Sequence, residues 1–126
     1  MAQKKTALVV GLGLIGGSVA MAMRGFANYG VVGRDCRYQT GAYAGARGVG
    51  EEGGAREGDV LGQADVVLFA MRPHGIAQQI EAFQDSFKPG ALVTDVGGIK
   101  GAIMEAAQCL PDTVDFIVCH PMAGKE

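Results

Sequence analysis

Short apolar runs alternate along the chain with segments in which apolar residues recur at helical spacing. Nearly continuous runs such as DVVLFA, at 65–70, are typical of strands that are covered on both faces in a parallel sheet. We predict strands at 7–10, 29–35, 65–70, 91–95 and 116–119, with a brief edge strand at 48–52. We predict a first helix that follows the glycines after the first strand and ends at 24–25. Three further helices are predicted over 38–46, from Ile76 to Phe87, and from Ile103 to Leu110.

This alternation predicts an α/β fold, a Rossmann-type doubly wound parallel sheet. About six strands in the order 3-2-1-4-5-6 would carry helices on both faces, and residues 1–126 would form one domain. The segments that follow predicted strand ends are the turns at 11–16, 71–74 and 97–100, and His120. Pro73 is expected to end the strand before the second of these turns. Because the carboxyl ends of parallel strands share one edge, we expect these segments to line one ligand crevice.

The first of these turns contains Gly11, Gly13 and Gly16 at the G-x-G-x-x-G spacing. Gly11 would permit the tight turn from strand to helix, Gly13 would let a diphosphate lie against bare backbone, and Gly16 would let the helix pack close to the strand. The diphosphate would then meet free N–H groups at a helix start. With 21 glycines in 126 residues the motif alone is weak, so the other strand ends must support it.

The same region also resembles a secretory signal peptide. Two lysines, Lys4 and Lys5, precede an apolar stretch that ends in an Ala-x-Ala sequence at 20–22. Four glycines inside the apolar stretch are unfavourable for a signal helix. A signal peptide would also predict none of the downstream strand-end turns, so we favour the dinucleotide site.

Two charged residues end the predicted second strand. Asp35 lies 19 residues after Gly16, where an acid in dinucleotide folds accepts hydrogen bonds from the adenosine ribose hydroxyls. This carboxylate favours NAD, because it would repel the 2′-phosphate of NADP. The neighbouring Arg34 leaves NADP possible, since a guanidinium can bind that phosphate bidentately. A solvated pair of loop residues is the alternative.

Together these patterns define a set of candidate residues. The predicted cofactor-binding residues belong to the strand-end segments: Gly11, Gly13, Leu14, Ile15, Gly16, Arg34, Asp35, Ala70, Met71, Arg72 and Gly97. His120 follows the last strand, where an imidazole can take the proton of a substrate hydroxyl while hydride leaves the adjoining carbon skeleton, an effect of about 10²- to 10⁴-fold. A histidine that only hydrogen-bonds a strand end is the alternative.

Composition excludes several other classes of protein. A net charge of -2 lacks the basic excess that nucleic-acid binding needs, and 48% hydrophobic with 19% charged residues indicates an ordinary soluble globular protein. We expect a cytoplasmic protein with no membrane partner. The three cysteines Cys36, Cys109 and Cys119 are too widely spaced for a disulfide framework or a zinc site, so we expect buried, reduced thiols and no metal.

Three segments give the chain a family resemblance over almost its whole length. The strings VVGLGLIGGSVA near the start, TDVGGIKGAI from Thr94 and HPMAGKE at the end resemble the cofactor domain of prephenate dehydrogenases and the related arogenate dehydrogenases. The resemblance implies oxidative decarboxylation of prephenate to 4-hydroxyphenylpyruvate in tyrosine biosynthesis, with release of CO2 and NADH. His120 matches the catalytic histidine of the family, which would draw the proton from the ring hydroxyl of the substrate.

The sequence departs from the better-known family pattern at two places. Gly98 stands where many members have a serine near the substrate, and Lys125 stands where many have serine or threonine. The resemblance implies substrate contacts at Gly98, Lys125 and Glu126. Lys125 would attract a carboxylate of prephenate, with a solvated lysine as the alternative.

Length separates this chain from its family. Members continue with a mainly helical domain that completes the substrate site and forms the dimer, and the chain ends shortly after His120. We therefore expect a truncated product that binds dinucleotide without turning over substrate. A non-catalytic Rossmann module that senses NAD or an adenine nucleotide is the main alternative, and a hydroxy-acid dehydrogenase of similar fold is a weaker one.

Overall fold

The computed structural model describes residues 5–24, 29–34, 61–96 and 101–119. In these ranges the strands are β1 (Lys5–Val10), β2 (Tyr29–Arg34), β3 (Val66–Phe69), β4 (Leu92–Asp95) and β5 (Asp115–Ile117). The helices with described bounds are α1 (Leu14–Met23), α2 (Pro73–Ala82) and α3 (Gly101–Ala107). The predicted edge strand at 48–52 and helix at 38–46 lie outside the described residues.

The sheet is parallel throughout and has the order β2-β1-β3-β4-β5. This confirms the doubly wound arrangement for the described strands, because the chain leaves β1 toward β2 on one side and resumes at β3 on the other. At the end of β1, Val10 is in register with Arg34 of β2 and with Phe69 of β3. The carboxyl ends of these three strands therefore lie side by side.

Two apolar layers hold the helices against opposite faces of the sheet. Leu8 and Val10 belong to one buried cluster, which also contains Ile76 and Ile80 of α2 and Ile103 of α3. Alternate strand residues point to opposite faces, so the intervening residue of β1 belongs to the other layer. That second layer consists of Val9, Leu12, Ala20, Val31 and Leu68, with α1 packed on it. The prediction that helices cover both faces of the sheet is confirmed.

The segment after β3 differs from the predicted turn. Pro73 does not lie in a turn but begins α2, with Arg72 as the N-cap. Proline suits the first helical position because the N–H it lacks would have no partner within the helix. The helix also ends earlier than predicted, at Ala82. Phe87 is nevertheless buried and meets Phe69 edge to face at a centroid distance of 6.3 Å, so its apolar character reflects the core and not a longer helix.

The prediction of buried cysteines is wrong for both cysteines that the structure describes. Cys109 lies in the turn after α3, and Cys119 lies beyond the end of β5, which stops at Ile117 and not at the predicted 119. Both thiols are exposed because they fall outside the elements that pack against the sheet. Cys36 lies outside the described residues.

Asp65 connects three segments at the amino-terminal edge of the sheet. Its Oδ2 accepts the backbone N–H of Thr6 at 2.9 Å, and its Oδ1 accepts a hydrogen bond from Nζ of Lys88 at 2.6 Å. The Lys88 hydrogen bond, and then the Thr6 N–H, hold the pKa of Asp65 below its ordinary value. Because the pKa is lowered in the folded state, the ionised carboxylate stabilises the fold above the unfolded pKa of about 3.9, and this stabilisation is lost as the pH falls through the folded pKa.

We expect Asp65→Asn to lower the free energy of unfolding at neutral pH by about 0.5–1 kcal/mol, a modest loss because the pair is partly exposed. The amide keeps an oxygen acceptor for Thr6, so the loss isolates the charge. Urea unfolding at neutral pH and near pH 3 measures it, and the difference from the parent chain should shrink at the lower pH. Asp85→Asn, at an exposed aspartate, is the control. An equal difference at both pH values would contradict the role of the ion pair.

Candidate functional site

The turn between β1 and α1 (the glycine turn, 11–16) depends on Gly11 for its shape. Gly11 has a φ of 98°, a left-handed conformation that side-chain-bearing residues rarely adopt. A Cβ there would lie 2.6 Å from the carbonyl oxygen of Ala70. The Gly11 N–H donates to the carbonyl oxygen of Arg34 at 2.7 Å, so the turn is held between the ends of β2 and β3.

Gly16 and Gly13 have opposite surroundings on the same helix start. A Cβ at Gly16 would overlap the carbonyl oxygen of Gly11 and would lie 3.1 Å from Cβ of Ala70. The absence of a side chain there lets α1 lie directly against the turn. A Cβ at Gly13 would meet nothing within 4 Å, because this residue faces open space. Packing among the described residues therefore gives no reason for bare backbone at Gly13.

A further glycine anchors the turn to the neighbouring strand. Leu12 is buried within the glycine turn, and a Cβ at Gly33 of β2 would lie 2.9 Å from both of its methyl carbons. Gly33 therefore makes the space into which Leu12 inserts. This contact positions the turn from the side of β2, and we did not predict it from the sequence.

The start of α1 opens into a cleft of about 1030 Å³. Gly13 is the N-cap and makes no side-chain capping bond, and the first turn of α1 carries no acidic residue. The free N–H groups and the positive end of the helix dipole are therefore available to an anion. Leu14 and Ile15 line the cleft and are 87% and 49% exposed, so an apolar surface borders the polar helix end.

The opposite wall of the cleft comes from the turn after β3 and from α2. It consists of Ala70, Met71, Arg72, His74, Gly75, Gln78 and Gln79. His74 and Gln78 are both exposed, with Nε2 of each 3.3 Å apart. We did not assign Gln78 or Gln79 from the sequence, and for His74 we predicted only that its segment, 71–74, lines the crevice. The signal that could have found them is their polar character at helical spacing beside the apolar residues Ile76 and Ile80.

The structure brings most of the described candidates together. Those that line the cleft are Gly11, Gly13, Leu14, Ile15, Ala70, Met71 and Arg72, and Gly16 lies directly behind it. Arg34, half-buried at the end of β2, adjoins the glycine turn through its carbonyl group. The candidates that lie outside the described residues are Asp35, Gly97, Gly98, His120, Lys125 and Glu126.

Asp95 is a feature that the sequence analysis did not single out. It ends β4 immediately before the second glycine-rich segment and is fully buried. Its register partner is Phe69 at the end of β3, so a carboxylate lies beneath the same edge of the sheet. Within the described residues, no group of three or more histidine, cysteine, aspartate or glutamate side chains is placed to hold a metal ion. No described helix has both the length and the apolar character needed to cross a membrane.

Comparison with known families identifies the family to which the chain belongs. The model of the family described as "Prephenate dehydrogenase, nucleotide-binding domain" matches residues 19–126. This chain belongs to the prephenate dehydrogenase family. The family resemblance is thereby confirmed, and the domain that matches is the one that binds nucleotide. The match includes the strings at 94–103 and 120–126 and begins at residue 19, near the end of the first string.

Individual members of the prephenate dehydrogenase family match nearly all of the chain. A prephenate dehydrogenase from Lactococcus lactis is 34% identical over 95% of this chain. The structure of prephenate dehydrogenase from Aquifex aeolicus in complex with hydroxyphenyl propionate and NAD+ superposes with a TM-score of 0.83 at 25% identity, covering 99% of this chain and 44% of that one. The arogenate dehydrogenase of Synechocystis has a TM-score of 0.81 at 31% identity, covering 95% of this chain and 42% of that one.

These matches also show how much of a family member the chain represents. The chain spans about a third of the length of the curated prephenate dehydrogenases that it matches, 34% and 33% in two cases. Structural neighbours include both a prephenate and an arogenate dehydrogenase. The similarity of fold therefore identifies the nucleotide-binding domain and leaves the choice between those two substrates to the residues of the substrate site.

Proposed function

We propose that these 126 residues form the NAD-binding domain of a prephenate dehydrogenase. The observation that carries the proposal is the open position of Gly13 at the uncapped start of α1, facing a cleft between β1 and β3. This is the point at which the strand order reverses, and dinucleotides bind there in doubly wound sheets. The NAD+ complex of the relative from Aquifex aeolicus supports the choice of ligand.

In this proposal the residues that line the cleft bind different parts of the cofactor. The N–H groups at the start of α1 and the bare backbone of Gly13 hold the diphosphate. Leu14 and Ile15 give the cofactor an apolar surface on one side, with Ala70, Met71 and Arg72 on the other. Arg72 adds a positive charge beside the diphosphate. Gly97 would contact the cofactor from the second glycine-rich segment.

We expect Asp35→Ala to weaken NADH binding by about 1–3 kcal/mol, the loss of a charged hydrogen bond to the adenosine ribose. The same change should move the ratio of affinities toward NADPH, because the repulsion of its 2′-phosphate is removed and Arg34 remains. Fluorescence titration of the chain with both reduced cofactors measures this. Asp85→Ala, at an exposed aspartate in the turns that follow α2, is the control. Unchanged NADH affinity in Asp35→Ala would contradict the assignment.

The proposed reaction is the oxidative decarboxylation of prephenate to 4-hydroxyphenylpyruvate. NAD, when bound, supplies the hydride acceptor. His120, three residues after the end of β5, would accept the proton of the ring hydroxyl, as its place in the HPMAG motif implies. Gly98, Lys125 and Glu126 would lie near the substrate, and Lys125 would attract one of its carboxylates. Loss of CO2 would follow as the ring becomes aromatic.

Formation of NADH from prephenate separates the dehydrogenase function from the alternative, a nucleotide-sensing module. The 126 residues cover about a third of their relatives, so we propose that they bind NADH without forming it from prephenate, and that dimerisation and the complete substrate site require the family's helical domain. Joined to that domain from a relative, the chain should produce NADH from prephenate or arogenate, and His120→Asn should abolish this without changing NADH affinity. A nucleotide-sensing module would bind NADH and form none in either context.

A further inference from the structure

One buried polar atom beside the cleft has no hydrogen-bond partner among the described residues. Gln79, on α2, lines the cleft, and its Oε1 atom is buried without a hydrogen-bond partner among the described residues. A buried carbonyl oxygen that accepts no hydrogen bond is costly, and such groups in native proteins usually have a donor. The neighbouring side chains of His74 and Gln78 contact each other, with their Nε2 atoms 3.3 Å apart, and neither bonds to Oε1 of Gln79.

The position of Gln79 indicates which part of a dinucleotide would reach it. Gln79 lies six residues beyond Pro73, about 9 Å along α2 from the start of that helix, and it still lines the cleft. Each ribose of a dinucleotide adjoins the diphosphate and each base lies one unit further away. Because Gln79 lies two turns into α2, on the wall opposite the glycine turn that would hold the diphosphate, it would face a base and not a ribose.

The lining of the cleft identifies the base. Among the described residues, those lining the cleft follow β1 and β3 in the chain, and none belongs to β4 or α3. The cleft therefore lies at the ends of β1 and β3, which is nearer to β2 than to β5 in the strand order, and β2 is the strand whose end would hold the adenosine ribose through Asp35. The adenine end of the cofactor carries one amino group, a donor that matches a carbonyl acceptor.

We infer that Gln79 is a specificity-determining residue that accepts a hydrogen bond from the 6-amino group of the cofactor's adenine. The inference rests on the proposed function, since it needs a dinucleotide in the cleft. The terminal torsion of a glutamine side chain is broad, so a rotation of the amide would present its oxygen to the cleft. The site would then distinguish adenine from a base that carries an oxo group at the same position.

Affinities for three cofactors test this inference on the 126-residue chain. The probes are NAD, nicotinamide hypoxanthine dinucleotide, in which an oxo group replaces the adenine amino group, and 3-acetylpyridine adenine dinucleotide, in which a methyl group replaces the amino group of the nicotinamide carboxamide. We expect the hypoxanthine analogue to bind about tenfold more weakly than NAD, and the acetylpyridine analogue to bind like NAD. Gln79→Met, of similar size, should bind NAD and the hypoxanthine analogue equally.

Two further variants complete the test. Gln79→Glu keeps an acceptor and should keep the preference for NAD over the hypoxanthine analogue, whatever its effect on absolute affinity. Gln84→Met, at a glutamine outside the cleft lining that bonds the carbonyl oxygen of Glu81, should behave as the parent chain.

Equal affinities of the parent chain for NAD and the hypoxanthine analogue, as a water molecule on Gln79 would produce, would overturn the inference. So would discrimination against the acetylpyridine analogue alone, or a preference that survives in Gln79→Met. Failure of every dinucleotide to bind would overturn the proposed function as well.

Discussion

Gly13→Ala should weaken NADH binding by about 100-fold or more while the chain still folds. A Cβ at this position would meet no atom of the described residues within 4 Å, and the backbone of Gly13 has a φ of -74°, which alanine adopts readily. The added methyl group would occupy the space in which the diphosphate must approach the start of α1. Each charged hydrogen bond that is lost costs about 1.5–3 kcal/mol, so losing one or two accounts for the expected change.

Two measurements separate blocked binding from damage to the fold. NADH titration gives the affinity, and urea unfolding gives the stability, which should fall by no more than about 1 kcal/mol because alanine is a poorer N-cap than glycine. Gly17→Ala adds the same methyl group four residues later, where the nearest atom is the carbonyl oxygen of Leu12 at 3.6 Å. That variant should bind NADH normally. If Gly13→Ala also binds normally, the diphosphate does not lie at this helix start.

The strands and the glycine turn could be predicted from local sequence because each is encoded by few residues, and the strand order followed from the right-handed crossovers of doubly wound sheets. Nearly continuous apolar runs such as 65–70 indicate parallel strands, and the spacing of Gly11, Gly13 and Gly16 places a tight turn directly after one of them. The structure adds the reason for two of these glycines, since both Gly11 and Gly16 would place a side chain against backbone atoms.

The ends of α2 could not be predicted because the apolar spacing does not mark them. Ile76 and Ile80 pack in the core from the helix, and Phe87 reaches the same core from the turns that follow it. The spacing of apolar residues is the same whether Phe87 lies in the helix or in the turns after it, so the sequence alone predicts a single longer helix. Pro73 was ambiguous for a similar reason, since proline suits both a strand end and a first helical position.

The part of the second wall that α2 contributes was missed because it is a tertiary feature. His74, Gln78 and Gln79 occupy the polar side of α2, which resembles an ordinary solvent-facing surface in the sequence. Only the position of α2 opposite the glycine turn turns that surface toward the cleft. Site residues contributed by a turn with special backbone geometry can thus be recognised from sequence, whereas those contributed by a helix face need the fold.

Gly16→Ala should destabilise the chain by about 3 kcal/mol or more, a large share of the roughly 5–15 kcal/mol that holds a typical domain together. A Cβ at Gly16 would overlap the carbonyl oxygen of Gly11 and would press on Ala70. Relief requires α1 to move away from β1 or the glycine turn to change shape, and overpacking against backbone is at the upper end of such costs.

The comparison with Gly17→Ala makes this expectation specific to the contact. Both variants add one methyl group to α1, and alanine favours a helix over glycine by about 0.8–1 kcal/mol at an interior position. Gly17→Ala should therefore raise the free energy of urea unfolding slightly, whereas Gly16→Ala should lower it and, through the displaced helix start, also weaken NADH binding. If Gly16→Ala is as stable as the parent chain, α1 does not pack against the glycine turn as closely as the structure places it, and the geometry proposed for the diphosphate fails with it.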